Sequence, residues 1–123
     1  MEPRHTADSC LPIRDILARV GDKWSILIIM ALSDGTKRFS QLQRMIDGIS
    51  QRMLTLTLRG LERDGFVARQ VFATVPPRVE YTLTPMGDSL REPIMALGQW
   101  VEANMGEIDK ARRQFDAATP AAA

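Results

Sequence analysis

Gln51, Arg52, Thr55 and Arg59, within ISQRMLTLTLRG, are spaced so that on a helix they project from one side. Amide and guanidinium groups form two-pronged hydrogen bonds with base edges in a duplex groove, and a hydroxyl serves a base or a phosphate. Ser50 stands just ahead of them, where a hydroxyl caps a helix and also reaches a phosphate. Leu56 interrupts the polar side; a leucine there suits a thymine methyl better than water, and a packing contact suits it equally. Lys37 and Arg38 upstream and Arg78 downstream are cations that would anchor a phosphate backbone.

The charge distribution agrees with an anionic partner. Residues 36 to 78 hold eight basic side chains against three acidic ones, a net +5, while residues 1 to 35 sum to −1 and residues 79 to 123 to −3. Arginines that merely solvate a helix would give the same count. Catalysis finds little support. The only histidine, His5, lies in a polar leader, and no nucleophile with a base, metal-ligand cluster or phosphate loop can be assembled. Asp15, Asp22 and Glu62 fit caps and surface pairs, so no enzyme, metal or cofactor is expected. One cysteine, Cys10, excludes an internal disulfide and suggests a reducing compartment. The most apolar run, WSILIIMAL, is too short for a bilayer, and the N-terminus lacks an apolar signal core, so a cytoplasmic protein without membrane contact is expected.

Helices must position these side chains. Pro12 suits the first turn of a helix whose Ile13, Ile16, Leu17 and Val20 form a stripe, ended by Gly21. Asp22 is placed to cap a second helix through Leu32, buried on most sides. A brief strand at Lys37 to Phe39 precedes a third helix, SQLQRMID, opened by a Ser40/Gln43 capping box and stopped by Gly48. Ser50 caps a fourth helix to about Asp64, with Leu54, Leu58 and Leu61 on its inner face and Arg52, Thr55, Leu56, Arg59 and Arg63 outside. The third and fourth helices, joined by a tight turn, form a helix-turn-helix.

FVARQVF and RVEYTL alternate as strands do, so Ala73 to Arg78 form a hairpin loop stiffened by Pro76 and Pro77. A helix-turn-helix followed by a hairpin with a rigid basic tip gives the expected fold: mainly α with a small β-hairpin wing, a winged helix-turn-helix. The wing would lay Arg78 on phosphates or into the minor groove.

Thr84 and Pro85 open a C-terminal helix with a stripe at Leu90, Ile94, Leu97 and Val101, which Pro93 should kink or interrupt. Trp100, Met105, Ile108 and Phe115 extend its apolar character. Such a segment fits a partner surface, and a two-fold dimer is expected through Ile13, Leu17, Leu97, Trp100, Val101, Met105 and Ile108. Two copies would set their reading helices one DNA turn apart, about 34 Å. Trp24, Trp100 and methionines at that interface could line a pocket for an aromatic effector, or simply be core. The expected organisation is a flexible leader at 1–9, one domain at 10–117 with dimerisation helices from about 85, and a disordered tail at 118–123.

The motifs GDKWSILIIMAL, RFSQL, GISQRMLTLTLRGLERDGFVAR, PPRVEYTLTPMG and LGQW, in this order, resemble the HxlR family of bacterial winged-helix transcriptional regulators, relatives of the MarR type. The likeness spans roughly Cys10 to Trp100. Lys23 and Trp24 match the family's KW pair, Arg38 and Phe39 its RF, Gly48 to Ser50 its GIS, Asp64 and Gly65 its DG, and Glu80 to Thr84 its EYTLT. The resemblance implies that the helix from Ser50 to Asp64 reads DNA, that the hairpin from Arg69 to Leu83 is the wing, and that a homodimer binds a near-palindromic operator. Phe72 replaces a common tyrosine, and Leu11 separates Cys10 from Pro12 where the family commonly has them adjacent. Many members carry a cysteine just ahead of the first helix, and in several it senses oxidants or electrophiles, so the resemblance suggests that role for Cys10. A helix dipole would favour its thiolate; a small buried hydrophobe is the bland alternative. The residues thus fit a DNA-binding regulator, commonly a repressor, or a winged-helix interaction module whose basic face meets an acidic protein. Gln, Arg and Thr grouped on one helical side favour the first.

Overall fold

A computed structural model describes residues 7–119. The expected leader up to residue 6, with His5, and the tail from residue 120 lie outside the described residues. The chain order is α1 (Ala7–Gly21), α2 (Lys23–Ala31), β1 (Lys37–Arg38), α3 (Phe39–Met45), α4 (Gln51–Arg63), β2 (Val67–Phe72), β3 (Arg78–Leu83), α5 (Pro85–Asp88) and α6 (Arg91–Ala118). Two compact units divide between Arg91 and Glu92.

Capping and periodicity explain most boundaries of the first unit. The Asp22 carboxylate accepts from the backbone N–H groups of Trp24 and Ser25, both at 3.1 Å, and so starts α2. Ser50 Oγ accepts from Met53 N at 3.0 Å and starts α4. Gly48 and Gly65 follow α3 and α4 with φ of 83° and 84°, left-handed conformations that a side chain rarely adopts. Leu54, Leu58 and Leu61 turn the inner side of α4 into a core with Ile28, Ile29 and Leu32 of the α2 region, Leu42 of α3, Phe66, Val67 and Tyr81. Ser50→Ala removes one acceptor and should lower stability by about 1 kcal/mol without abolishing folding. A urea midpoint indistinguishable from the parent's would show that this cap is dispensable.

The three strands form one antiparallel sheet in the order β1-β3-β2. Lys37 pairs with Tyr81, Val67 with Leu83, and Phe72 with Arg78 at the outer end of the hairpin. Thr84 ties the sheet to α5: its N–H donates to Phe66 O at 3.1 Å and its hydroxyl to Gly65 O at 2.6 Å. The same Oγ accepts from Gly87 N at 3.0 Å.

Several expectations are corrected. α1 begins at Ala7, within the segment expected as leader, and Pro12 is inside it; a proline removes only one helical bond, and that loss falls near the helix start. The opening of α3 is not a Ser40/Gln43 box. Phe39 is already helical, and Gln41 Oε1 accepts from Arg38 N at 2.8 Å. On α2 the expected burial on most sides is interrupted only by a stripe at Lys23 and Leu27, which are exposed. The expected interruption is present but falls ahead of Pro93: the break lies at Ser89 and Leu90, between α5 and α6, and Pro93 sits in the first turn of α6, where its missing N–H has no helical partner to lose. Ala117 and Ala118, expected near or in the tail, close α6.

The second unit takes in α6 from Glu92 on; the whole helix has 28 residues and is about 42 Å long at 1.5 Å per residue. Leu97, Trp100, Val101 and Met105 are exposed along it and Ile108 is half-buried.

Candidate nucleic-acid interface

Burying Leu54, Leu58 and Leu61 turns the opposite side of α4 outward. Gln51, Arg52 and Arg59 are exposed there, Thr55 is half-buried and Leu56 is 50% exposed. The Thr55 hydroxyl donates to Gln51 O at 2.9 Å, which leaves its oxygen lone pairs and methyl for a partner. Ser50 Oγ uses a lone pair on Met53 N, so its proton is free to be donated onward. Among the described residues, the ion pairs engage Arg19, Lys37, Arg63, Arg78 and Arg91, and none engages Arg52 or Arg59. Arg52 in the first turn of α4 and Arg59 two turns on thus stand exposed with no carboxylate in ion-pair contact among the described residues.

The cations expected to anchor a phosphate backbone line two adjoining grooves that share Arg38 and Ser40. Lys37, Arg38 and Arg44 line a groove of about 420 Å³ with Ser40, Gln41 and Glu80. Arg38 also borders a groove of about 520 Å³ with Ser40 and the loop from Thr74 to Arg78. Lys37 is partly neutralised: its ammonium lies 2.7 Å from Asp34 Oδ1, and this hydrogen bond, with the attraction between the charges, holds the Asp34 carboxyl below its usual range. Thr55, Arg59, Glu62, Arg69 and Tyr81 line a third groove, of about 240 Å³, between α4 and the hairpin. Arg44 and Arg69 were counted as charge in the sequence but not assigned to the site. Only the fold carries Arg69 to the side of Arg59.

The hairpin tip differs from the expected cationic one. Ala73 to Pro77 are uncharged, Val75 is fully exposed, and Thr74 Oγ1 donates to Pro76 O at 2.8 Å. Arg78 is the first residue of β3, not part of the loop. Its Nε lies 2.9 Å from Glu80 Oε2, and its guanidinium stacks 4.4 Å from the centroid of Phe72. The wing therefore has an apolar, proline-stiffened tip and a fixed arginine at its base. Phe72, which the resemblance marked as a lost phenol contact, is the platform for that arginine.

The remaining candidates fall elsewhere. Cys10 is the fourth residue of α1, inside the helix rather than ahead of it, and its side chain is outside the described residues. Ile13 and Leu17 leave an apolar stripe of α1 uncovered, 54% and 61% exposed. On α6, Leu97 and Trp100 are 56% and 58% exposed. Lys23 lies 4.5 Å above the ring of Trp24. No described helix is long and apolar enough to cross a membrane.

A helix-turn-helix with an outward cationic helix, a three-stranded sheet and a projecting hairpin is a winged-helix architecture. The HxlR-like helix-turn-helix family model matches residues 19–109. The Escherichia coli protein YtfH, named an uncharacterized HTH-type transcriptional regulator, is 46% identical over 102 residues, covering 83% of this chain and 80% of that protein. The structure of the transcriptional regulator ytfH from Salmonella typhimurium superposes with a TM-score of 0.77 at 40% identity, over 89% of this chain and 99% of that one. The redox regulator HypR in its reduced form gives 0.73 at 40% identity, over 80% and 98% of the two chains. Diamide-treated YodB from B. subtilis gives 0.67 at 36% identity, over 76% of this chain and 93% of that one. With α4, the turn before it and the hairpin after it all inside the matched span, the chain belongs to the HxlR-like helix-turn-helix family of transcriptional regulators.

Proposed function

We propose that the protein is a dimeric, sequence-specific repressor that places α4 in the major groove of an operator. The observation that supports this most is the outer side of α4, where Arg52 and Arg59 are exposed and, among the described residues, lack a carboxylate partner. In this reading Gln51, Arg52, Thr55 and Arg59 meet base edges, Thr55 as an acceptor, and Ser50 donates to a phosphate. Lys37, Arg38 and Arg78 hold the backbone, with Arg44 and Arg69 beside them. The uncovered stripe at Ile13 and Leu17 on α1, and that at Leu97, Trp100, Val101 and Met105 on α6 with half-buried Ile108 beyond them, each offer surface to a second copy, working in the cytoplasm. Pairing two weak half-site readers turns them into one selective binder. Selection from a pool of random duplexes tests this: a two-fold symmetric sequence with half-sites one turn apart supports it, and enrichment of none rejects it in favour of a protein-facing module.

Cys10 is the candidate sensor in this proposal. Similarity to HypR and YodB, whose structures are titled by redox state and diamide treatment, supports it. Two Cys10 thiols from two copies would lose two electrons and two protons to diamide, which becomes the hydrazine, and form a disulfide across the dimer. Diamide should convert the protein to a covalent dimer on a non-reducing gel, and Cys10→Ser should abolish it. Absence of both crosslink and adduct by mass spectrometry would remove the sensing role. No effector other than an oxidant or electrophile has comparable support.

A further inference from the structure

Arg19 lies in the last turn of α1, Gly60 in the last turn of α4, and Asp64 follows the last residue of α4. Arg19 Nε donates to Asp64 Oδ2 at 3.0 Å across 45 residues of sequence. The Asp64 carboxylate is only 10% exposed, and Arg63 Nη1 lies 3.7 Å from its other oxygen. A carboxylate at a helix C-terminus meets the negative end of the backbone dipole, so this aspartate requires cationic partners. On its way to Asp64 the Arg19 guanidinium fills the space a Cβ would take at residue 60. Gly60, buried and without a positive φ, is therefore a seat for that guanidinium, and the conformational reason usual for glycine does not apply.

We infer that Arg19, seated on Gly60 and paired with Asp64, is a positioning residue that latches α1 to the DNA-reading helix and fixes how α4 is presented. The inference rests on α4 reading DNA. α1 also carries Cys10 and the uncovered Ile13 and Leu17 stripe, so the latch connects the surface proposed for dimerisation and sensing with the reading helix through a rigid element. A side chain at residue 60 has a low-energy way out, because the group it displaces is the free end of a long side chain. The latch can thus be opened without creating backbone strain.

Operator affinity and thermal midpoint, measured together on the full chain, test the inference with Arg19→Ala, Gly60→Ala and the double variant. The probe is the duplex that the parent selects from a random pool. Each single variant should bind about fivefold more weakly, the scale of one partly exposed ion pair. The double variant should be no weaker than either single. Gly60→Ala should keep or raise the thermal midpoint, because alanine favours helix over glycine. The slope of log affinity against log salt should stay at the parent's value, since no phosphate contact is lost. Additive losses, a slope reduced by about one, or affinity falling only in step with the midpoint would each overturn the latch. If the parent selects no sequence at all, the DNA reading fails and the positioning role with it.

Discussion

Arg59→Ala is expected to weaken binding to the selected duplex by about tenfold or more, corresponding to the roughly 1 to 3 kcal/mol of a bidentate base contact. Arg59 is exposed on α4 one turn beyond Thr55, and its guanidinium opens into the groove shared with Arg69. It supports nothing in the core, so the thermal midpoint should hold while affinity drops. The loss should be concentrated at one base pair of each half-site, seen as relaxed preference when every single-base variant of the duplex is compared. A uniform loss across all sequences would reassign Arg59 to the phosphates. Unchanged binding would remove the outer side of α4 from the interface altogether.

Gly87→Ala should produce the largest loss of stability. Gly87 is the third residue of α5, and a Cβ there would overlap the carbonyl of Phe66 at the start of β2. Unlike the guanidinium over Gly60, this neighbour is main chain and cannot swing aside. Thr84 fastens both sides of the contact, donating to Phe66 O at 3.1 Å and to Gly65 O at 2.6 Å and accepting from Gly87 N at 3.0 Å. Relief would have to break one of them or shift the sheet from α5. Overpacking of this kind costs about 3 kcal/mol, which lowers the thermal midpoint by on the order of 10 °C in a chain of this size. A midpoint within one or two degrees of the parent's, as measured by circular dichroism, would show that α5 moves freely from β2.

Local rules explain why so much of this fold could be expected from the residues. Leu54, Leu58 and Leu61 recur at the helical period, Asp22 and Ser50 stand at capping positions, and Gly48 and Gly65 mark the stops, so α2, α4 and the turn between reading elements follow from neighbours in sequence. The hairpin is equally local: two alternating runs flank Pro76 and Pro77. What depended on distance was not legible. Arg19 and Asp64 lie 45 residues apart and meet only once α1 has packed, while Arg69 joins Arg59 because β2 returns beside α4. Arg78 is an intermediate case. Arg78 and Glu80 lie two apart on one strand and so share a face, a local signal of their ion pair. Capping of Arg38 N by Gln41 is harder to read, because Ser40 next to it is the commoner cap residue.

The central claim is that the side of α4 bearing Arg52 and Arg59 recognises a DNA sequence. Fluorescence anisotropy of the reduced protein on its selected duplex, against a scrambled duplex of equal length at two salt concentrations, tests it most directly. Strong preference for the selected sequence, with affinity on both duplexes falling steeply as salt rises, is the predicted result, because base contacts provide the preference and the surrounding cations provide the salt dependence. Equal, weak binding to both duplexes would contradict it.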